Sequence, residues 1–197
     1  MIEEHSIQEE LDLLTAPHNS TDLEPNSEDA VALQSVQVQV KKIAERQRQI
    51  TARIQIPQSI EQVWKVLTDY EALVKFIPNL AKSRLVKHPT GGIRLEQIGS
   101  QRLLRFNFCA RVVLDLKEYF PKEISFCLVE GDFKDFSGSW SLESCPLGEQ
   151  MGTNLYYTLK VWPKLTMPVG IIENRLSKDL QLNLVAIRAR VLQLASN

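Results

Sequence analysis

Few residues in this chain are spaced for chemistry. His5, His18 and His88 are scattered along it, with two in the first 20 residues, which gives histidine-based metal ligation or a Ser-His triad little to stand on. Cys109, Cys127 and Cys145 form no C-x-x-C pair and are odd in number. Neither a disulfide framework nor a zinc site is therefore encoded, and a reducing compartment is expected. No metal and no cofactor is expected either.

The remaining catalytic candidates are weak. Glu130 follows Ile124, Phe126 and Leu128 in alternation; that phase points it inward, where desolvation would raise its pKa and suit it to acid or base work. Its place beside Gly131 fits a solvated turn rim equally. Gln97 follows Ile93 and Leu95 in phase and would hydrogen-bond a carbonyl oxygen, although a one-residue slip turns it outward and brings Ile98 in. Tyr156 and Tyr157 are adjacent in a strand, so only one faces inward. Asn183 flanks an apolar stripe, and Asp69, next to Tyr70, reads first as a helix cap.

The elements that must position these residues follow from periodicity. Val36, Val38 and Val40 alternate with polar residues, and Ile50, Ile54 and Ile56 follow, so two strands precede Pro57. Ser59 with Gln62 forms a capping box ahead of Ile60, Val63, Trp64 and Leu67, which predicts a helix of about ten residues. A second short helix through Leu73 and Val74 must stop before Pro78. From Leu80 to Trp162 the period is two: Leu104, Phe106, Phe108, Ala110, Val112, Leu114 and Leu116 alternate with mostly polar residues. Phe136, Trp140 and Leu142 repeat the pattern, with Gly138 where the backbone must bulge or approach a neighbour closely. Evenly spaced strands with hairpin signals and no intervening helix imply an antiparallel meander, wet on one face. After Pro168, Ile172, Leu176, Leu180, Leu184, Ile187, Val191 and Leu194 step by three or four, a helix of about 28 residues and roughly 42 Å, long enough to cross the sheet.

Charge divides the chain unevenly. All nine acids of the first 40 residues lack any Lys or Arg beside them, while the remainder holds all 23 basic residues against 15 acids. Residues 1–34 read as a disordered acidic tail and residues 35–197 as one folded domain. Lys82, Arg84, Lys87, Arg94, Arg102, Arg105 and Arg111 would form a basic strip if their wet faces align, suited to anionic membrane surfaces. No nucleic-acid motif accompanies them. No apolar run is long enough to span a bilayer, and the N-terminus lacks a signal-peptide pattern, so the expected location is cytoplasmic, with contact at the periphery of a membrane. Nothing in the sequence sets an oligomeric state.

Three segments, PQSIEQVWKVLTDYEALVKFIPNL, VEGDFKDFSGSW and TNLYYTLKVWPKLTMPVGIIENRL, taken with the order of elements, resemble the polyketide cyclase/dehydrase and coenzyme-Q-binding family of the START-like (SRPBCC) superfamily over about residues 36–195. The resemblance implies an α+β helix-grip fold, a curved antiparallel sheet wrapped around a long C-terminal helix with two short helices after the first strands. It also implies a deep cavity between sheet and helix, in members that bind quinones, lipids or polyketides, some catalysing cyclisation or dehydration. One fold hosts many activities, so no reaction follows from it. The expected cavity lining is Trp64, Phe76, Phe106, Phe108, Phe126, Phe136, Trp140, Tyr157, Leu180 and Leu184. Association costs on the order of 4–15 kcal/mol, so micromolar binding needs about ten to twenty buried CH₂ groups at ~0.8 kcal/mol each. The expected function is therefore binding or transport of a quinone, isoprenoid or lipid. The alternatives are a cyclase/dehydrase using Glu130, Gln97 and Tyr157, and a macromolecular interaction module.

Overall fold

In Gln47–Ile56 every second side chain from Ile50 on is apolar, and Ile50, Ala52, Ile54 and Ile56 are all buried, the pattern of a strand with one wet face. It is β2 of the computed structural model, which describes residues 33–103 and 106–196, with only the backbone of 101–103 and 106–108. The expected tail, residues 1–34, lies almost wholly outside the described residues. Eight strands, β1 (Gln37–Ala44), β2 (Gln47–Ile56), β3 (Leu80–Val86), β4 (Ile93–Leu103), β5 (Phe106–Tyr119), β6 (Glu123–Gly131), β7 (Phe133–Leu147) and β8 (Gln150–Pro163), form one antiparallel sheet in the order β1-β2-β8-β7-β6-β5-β4-β3. From β3 to β8 each strand pairs with the next, the expected meander; β2 then closes on β8, with Ile50 opposite Leu159 and Ile54 opposite Leu155.

Helix α1 (Ile60–Thr68) starts at Ser59, whose backbone N–H donates to the Gln62 side chain at 3.3 Å, one half of the expected capping box. The second short helix is a single 3-10 turn, Ala72–Lys75. Asp69 is not its cap as expected: Glu71 stands at the N-cap and Asp69 at the end of α1, where its backbone carbonyl accepts from Ala72 N–H at 3.0 Å. Helix α2 (Val169–Ala195) lies closest to β2, also touching β1, β8 and α1. Ile172, Leu180, Leu184, Ile187 and Val191 are its buried stripe. Its start is held from the β1–β2 hairpin, where one Arg46 nitrogen donates to the carbonyls of Lys164 and Met167 at 2.9 and 2.8 Å and Arg48 pairs with Glu173.

Two bulges reset the alternation where the site is built. Leu114 pairs with Leu128 but Val113 with Glu130, so Val129 is an extra residue. Likewise Phe133 pairs with Pro163 and Asp135 with Trp162, leaving Lys134 as the extra residue. Gly138 is the close approach expected: a Cβ there would lie 2.0 Å from the Thr158 carbonyl oxygen and 2.8 Å from the Phe126 ring.

On the outer face, Lys82, Arg84 and Arg111 converge on Glu96 at 2.9, 2.6 and 2.7 Å, and Arg94 pairs with Asp115 at 2.6 Å. The basic strip is therefore largely paired within the sheet rather than presented to a partner; the side chains of Arg102 and Arg105 lie outside the described residues. Hydrogen bonds from Lys82, Arg111 and Arg84 hold the Glu96 carboxyl down at about 2.

Gly138→Ala is expected to destabilise the protein by about 1–3 kcal/mol, because its Cβ meets backbone that cannot give way. Gly170→Ala meets nothing within 4 Å and should stabilise α2 by roughly 0.5–1 kcal/mol; urea midpoints check both. A carboxylate whose pKa falls on folding contributes stability above its unfolded value and loses it as pH drops through the folded one. Glu96→Gln should therefore be less stable than the parent at pH 7, with the gap closing between pH 4.5 and about 2.

Candidate functional site

Three neighbouring strands, β6, β7 and β8, each send aromatic side chains to the concave face. Tyr157 stacks on Trp140, with centroids 3.6 Å apart and planes at 19°. Phe126 lies edge-on to Tyr157 at 6.2 Å and beside Phe136 at 6.1 Å, and Phe136 meets Phe133 at 5.2 Å. Gly138 lets the Phe126 ring pass, and the Lys134 bulge puts Phe133 and Phe136, three apart, on the same face.

Above this floor, under α2, lie two adjoining lobes. The larger, about 130 Å³, runs from Phe133 and Phe136 to Ile172, Leu176 and Leu180 of α2. The smaller, about 90 Å³, is enclosed by Leu67, Tyr70, Leu95, Leu114, Phe126 and Trp140. Their shared boundary is Ile77, Leu80, Gln97, Tyr157 and Asn183.

Polar groups enter the site from two sides. From α2, Asp179 accepts from the Asn79 amide at 3.2 Å and pairs with Arg175 at 3.6 Å. Asn79 sits at φ 60°, a left-handed conformation that Asn tolerates, just before β3. Burial pushes the Asp179 carboxyl above the usual range, against the pull of Arg175 and Asn79. Asn183, one turn further on, has its Oδ1 buried without a hydrogen-bond partner. From the sheet, Ser83 donates to the Tyr70 carbonyl at 2.7 Å and Gln97 donates to Ser83 Oγ at 3.2 Å. Tyr70, whose hydroxyl donates to Glu118 at 2.6 Å, closes the smaller lobe. Burial, then the Asp179 charge, pushes the Tyr157 hydroxyl above its ordinary range.

The expected lining residues Phe126, Phe136, Trp140, Tyr157 and Leu180 meet at the lobes. Trp64 does not: it is buried against Phe120, edge to face at 5.3 Å. Phe76 packs under Arg190 at the edge of the core, and Leu184 is sealed within the helix–sheet contact. The side chains of Phe106 and Phe108 lie outside the described residues. Gln97 keeps the inward phase of Leu95, whereas Glu130 does not keep that of Leu128. The Val129 bulge turns Glu130 to the outer face, where it is 69% exposed and pairs with Arg111 at 2.6 Å, so it does not face the cavity. Phe133, Asn79, Arg175 and Asp179 were missed. Phe133 is out of phase until the bulge is known. Asp179 carries a helical-spacing signal, one residue before Leu180, that reads as the polar flank of the stripe. Among the described residues no three His, Cys, Asp or Glu side chains gather as a metal site.

Residues 56–185 match the model of the family described as polyketide cyclase / dehydrase and lipid transport. Solved structures share the fold. A START superfamily protein from Mycobacterium smegmatis is 20% identical, with a TM-score of 0.60 over 74% of this chain and 98% of that one. The Zhui aromatase/cyclase from Streptomyces sp. R1128 is 14% identical, with a TM-score of 0.60 over 75% and 94%. A STAR-related lipid transfer protein fragment from Xanthomonas axonopodis is 17% identical, with a TM-score of 0.55 over 78% and 98%. No curated protein matches the sequence. At these identities the structural likeness is one of fold, but the family match spans well over half of the chain and includes the helices, strands and α2 turns that build the two lobes. The chain thus belongs to the polyketide cyclase/dehydrase and lipid transport family.

Proposed function

We propose that the protein binds a hydrophobic small molecule between its sheet and α2, as a carrier or sequestering protein. The observation that carries this is the pair of adjoining lobes floored by Phe126, Phe136, Trp140 and Tyr157. Size narrows the ligand. An apolar cavity of ~150 Å³ holds a benzene, and pockets for drug-sized ligands run to about 300–1,000 Å³. Lobes of about 130 and 90 Å³ thus take one or two rings. The head of a quinone fits them as they stand; a long isoprenoid or acyl chain requires α2 to move outward. Leu165, in the loop before α2, and Ile171 are 73% and 55% exposed, which supports transient contact with a membrane surface where such a ligand is collected.

One observation favours a second reading, an enzyme acting on a poly-carbonyl substrate. Asp179 is a carboxyl with a raised pKa beside the larger lobe, held by Asn79 and Arg175, an environment suited to proton transfer.

Native mass spectrometry with organic extraction of protein from its own host is expected to find a co-purifying ring-bearing or prenylated hydrophobe; a clean apo mass with no affinity for quinones or acyl lipids overturns the carrier reading. Ala110→Leu, which projects into the larger lobe, should weaken binding of a ring-sized apolar probe about tenfold while the melting temperature stays nearly unchanged. If the enzyme reading holds, Asp179→Asn lowers turnover of a poly-β-ketone at least about a hundredfold with little change in KM, whereas equal rates with and without protein reject it.

A further inference from the structure

The boundary between the lobes is a second polar station, apart from the Asn79–Arg175–Asp179 group of the larger lobe. Of its five residues, three are polar: Gln97 from β4, Tyr157 from β8 and Asn183 from α2, and each borders both lobes. Their hydrogen-bonding states are uneven. The Ser83 hydroxyl spends its proton on the Tyr70 carbonyl, so toward Gln97 it acts only as an acceptor. That fixes the Gln97 amide with its NH₂ on Ser83 and leaves its oxygen as a free acceptor. Asn183 Oδ1 is buried with no partner at all. The Tyr157 hydroxyl makes no hydrogen bond among the described residues, and its raised pKa keeps it a neutral donor. The waist therefore holds two acceptors and one donor without protein partners, of which Asn183 Oδ1 is fully buried, while the Asn79–Arg175–Asp179 group of the larger lobe is bonded within itself.

We infer that the ligand carries a hydroxyl group, seated at this waist between Asn183, Gln97 and Tyr157. The inference rests on the reading that the lobes hold an apolar ligand and adds the chemistry of its polar end. A hydroxyl donates once and accepts twice, so it satisfies an amide oxygen and Tyr157 together, and it does so whichever way the Asn183 amide is turned. A carbonyl or ether only accepts and leaves the buried Asn183 Oδ1 unpaired, a penalty large enough for strong discrimination. A carboxylate is disfavoured further, because Asp179 already places negative potential on Tyr157. The ligand class is thus a one- or two-ring hydrophobe bearing a phenolic or alcoholic O–H placed at the waist between the lobes.

The test uses three probes of nearly equal size on the full chain: naphthalene, 2-methylnaphthalene and 2-naphthol, titrated calorimetrically. An apolar cavity without a polar waist ranks the methyl compound above the naphthol. The expected result is the reverse, with 2-naphthol about tenfold or more tighter than 2-methylnaphthalene. In Asn183→Leu, checked for an unchanged melting temperature, the preference should fall toward parity while naphthalene affinity holds within about threefold. Naphthalene and 2-methylnaphthalene binding as well as or better than 2-naphthol to the parent protein overturns the hydroxyl inference and leaves the apolar-ligand reading standing. Failure of all three to bind overturns both. Should Asn183→Leu not fold, the ranking on the parent protein decides alone.

Discussion

One helix cannot cover eight strands. At ~4.8 Å per strand the sheet is roughly 34 Å wide, whereas a helix with its side chains measures ~10–12 Å. Helix α2 settles on the β2–β8 side, where Ile50, Ile54, Leu155 and Leu159 are fully buried with Leu180, Leu184 and Ile187. The sheet must curl for its far strands to find any cover, and α1 and the 3-10 turn supply part of it. The lobes are what that mismatch leaves over. They lie on the β4–β7 side of α2 because the packed contact lies on the other, and their size is set by how tightly Phe126, Phe133 and Phe136 fill the gap.

The same mismatch explains why polar groups sit on α2 without unfolding it. Asp179 and Asn183 face the incompletely filled side of the helix, whereas Leu184 faces the close-packed side, with Leu180 at the border between the two. A polar atom against a void costs less than one against a packed hydrocarbon, since water can enter a roomy polar site. Asp179 is further supported by Asn79 and Arg175. The outer face solves a different problem. There Glu96 gathers Lys82, Arg84 and Arg111 across three strands, so a surface rich in cations ties the meander to itself.

Much of this architecture is legible in the residues. Ile50, Ile54 and Ile56 mark β2, Gln62 marks the start of α1, Gly138 marks a close approach, and the stripe from Ile172 to Val191 marks α2, because each signal is local and repeats a period. The site is less legible, for physical reasons. A bulge is one extra residue with no fixed sequence mark, yet it reverses every side chain after it; Val129 sent Glu130 outward and Lys134 brought Phe133 in. Trp64 and Leu184 share the apolar phase of the lining, but period alone cannot separate a wall from solid core. Pairing of the basic strip with Glu96 requires strand register, which no single strand carries.

The hold on the start of α2 gives the helix a mechanical character. Arg46 and Arg48 in the β1–β2 hairpin fasten the Lys164–Glu173 segment through polar bonds, while the far end is held by apolar packing, with Ile187 and Val191 buried and Arg190 over the Phe76 ring. The helix is thus a lever with its fulcrum at the hairpin, about 40 Å long. A tilt of ~5° there would displace the far end by roughly 3.5 Å, and points nearer the fulcrum by proportionately less. The smaller lobe, bordered by Asn183 and Ile187, lies farther along this lever than the part of the larger lobe bordered by Ile172. A tilt about the hairpin would therefore widen the smaller lobe more than the Ile172 end of the larger one.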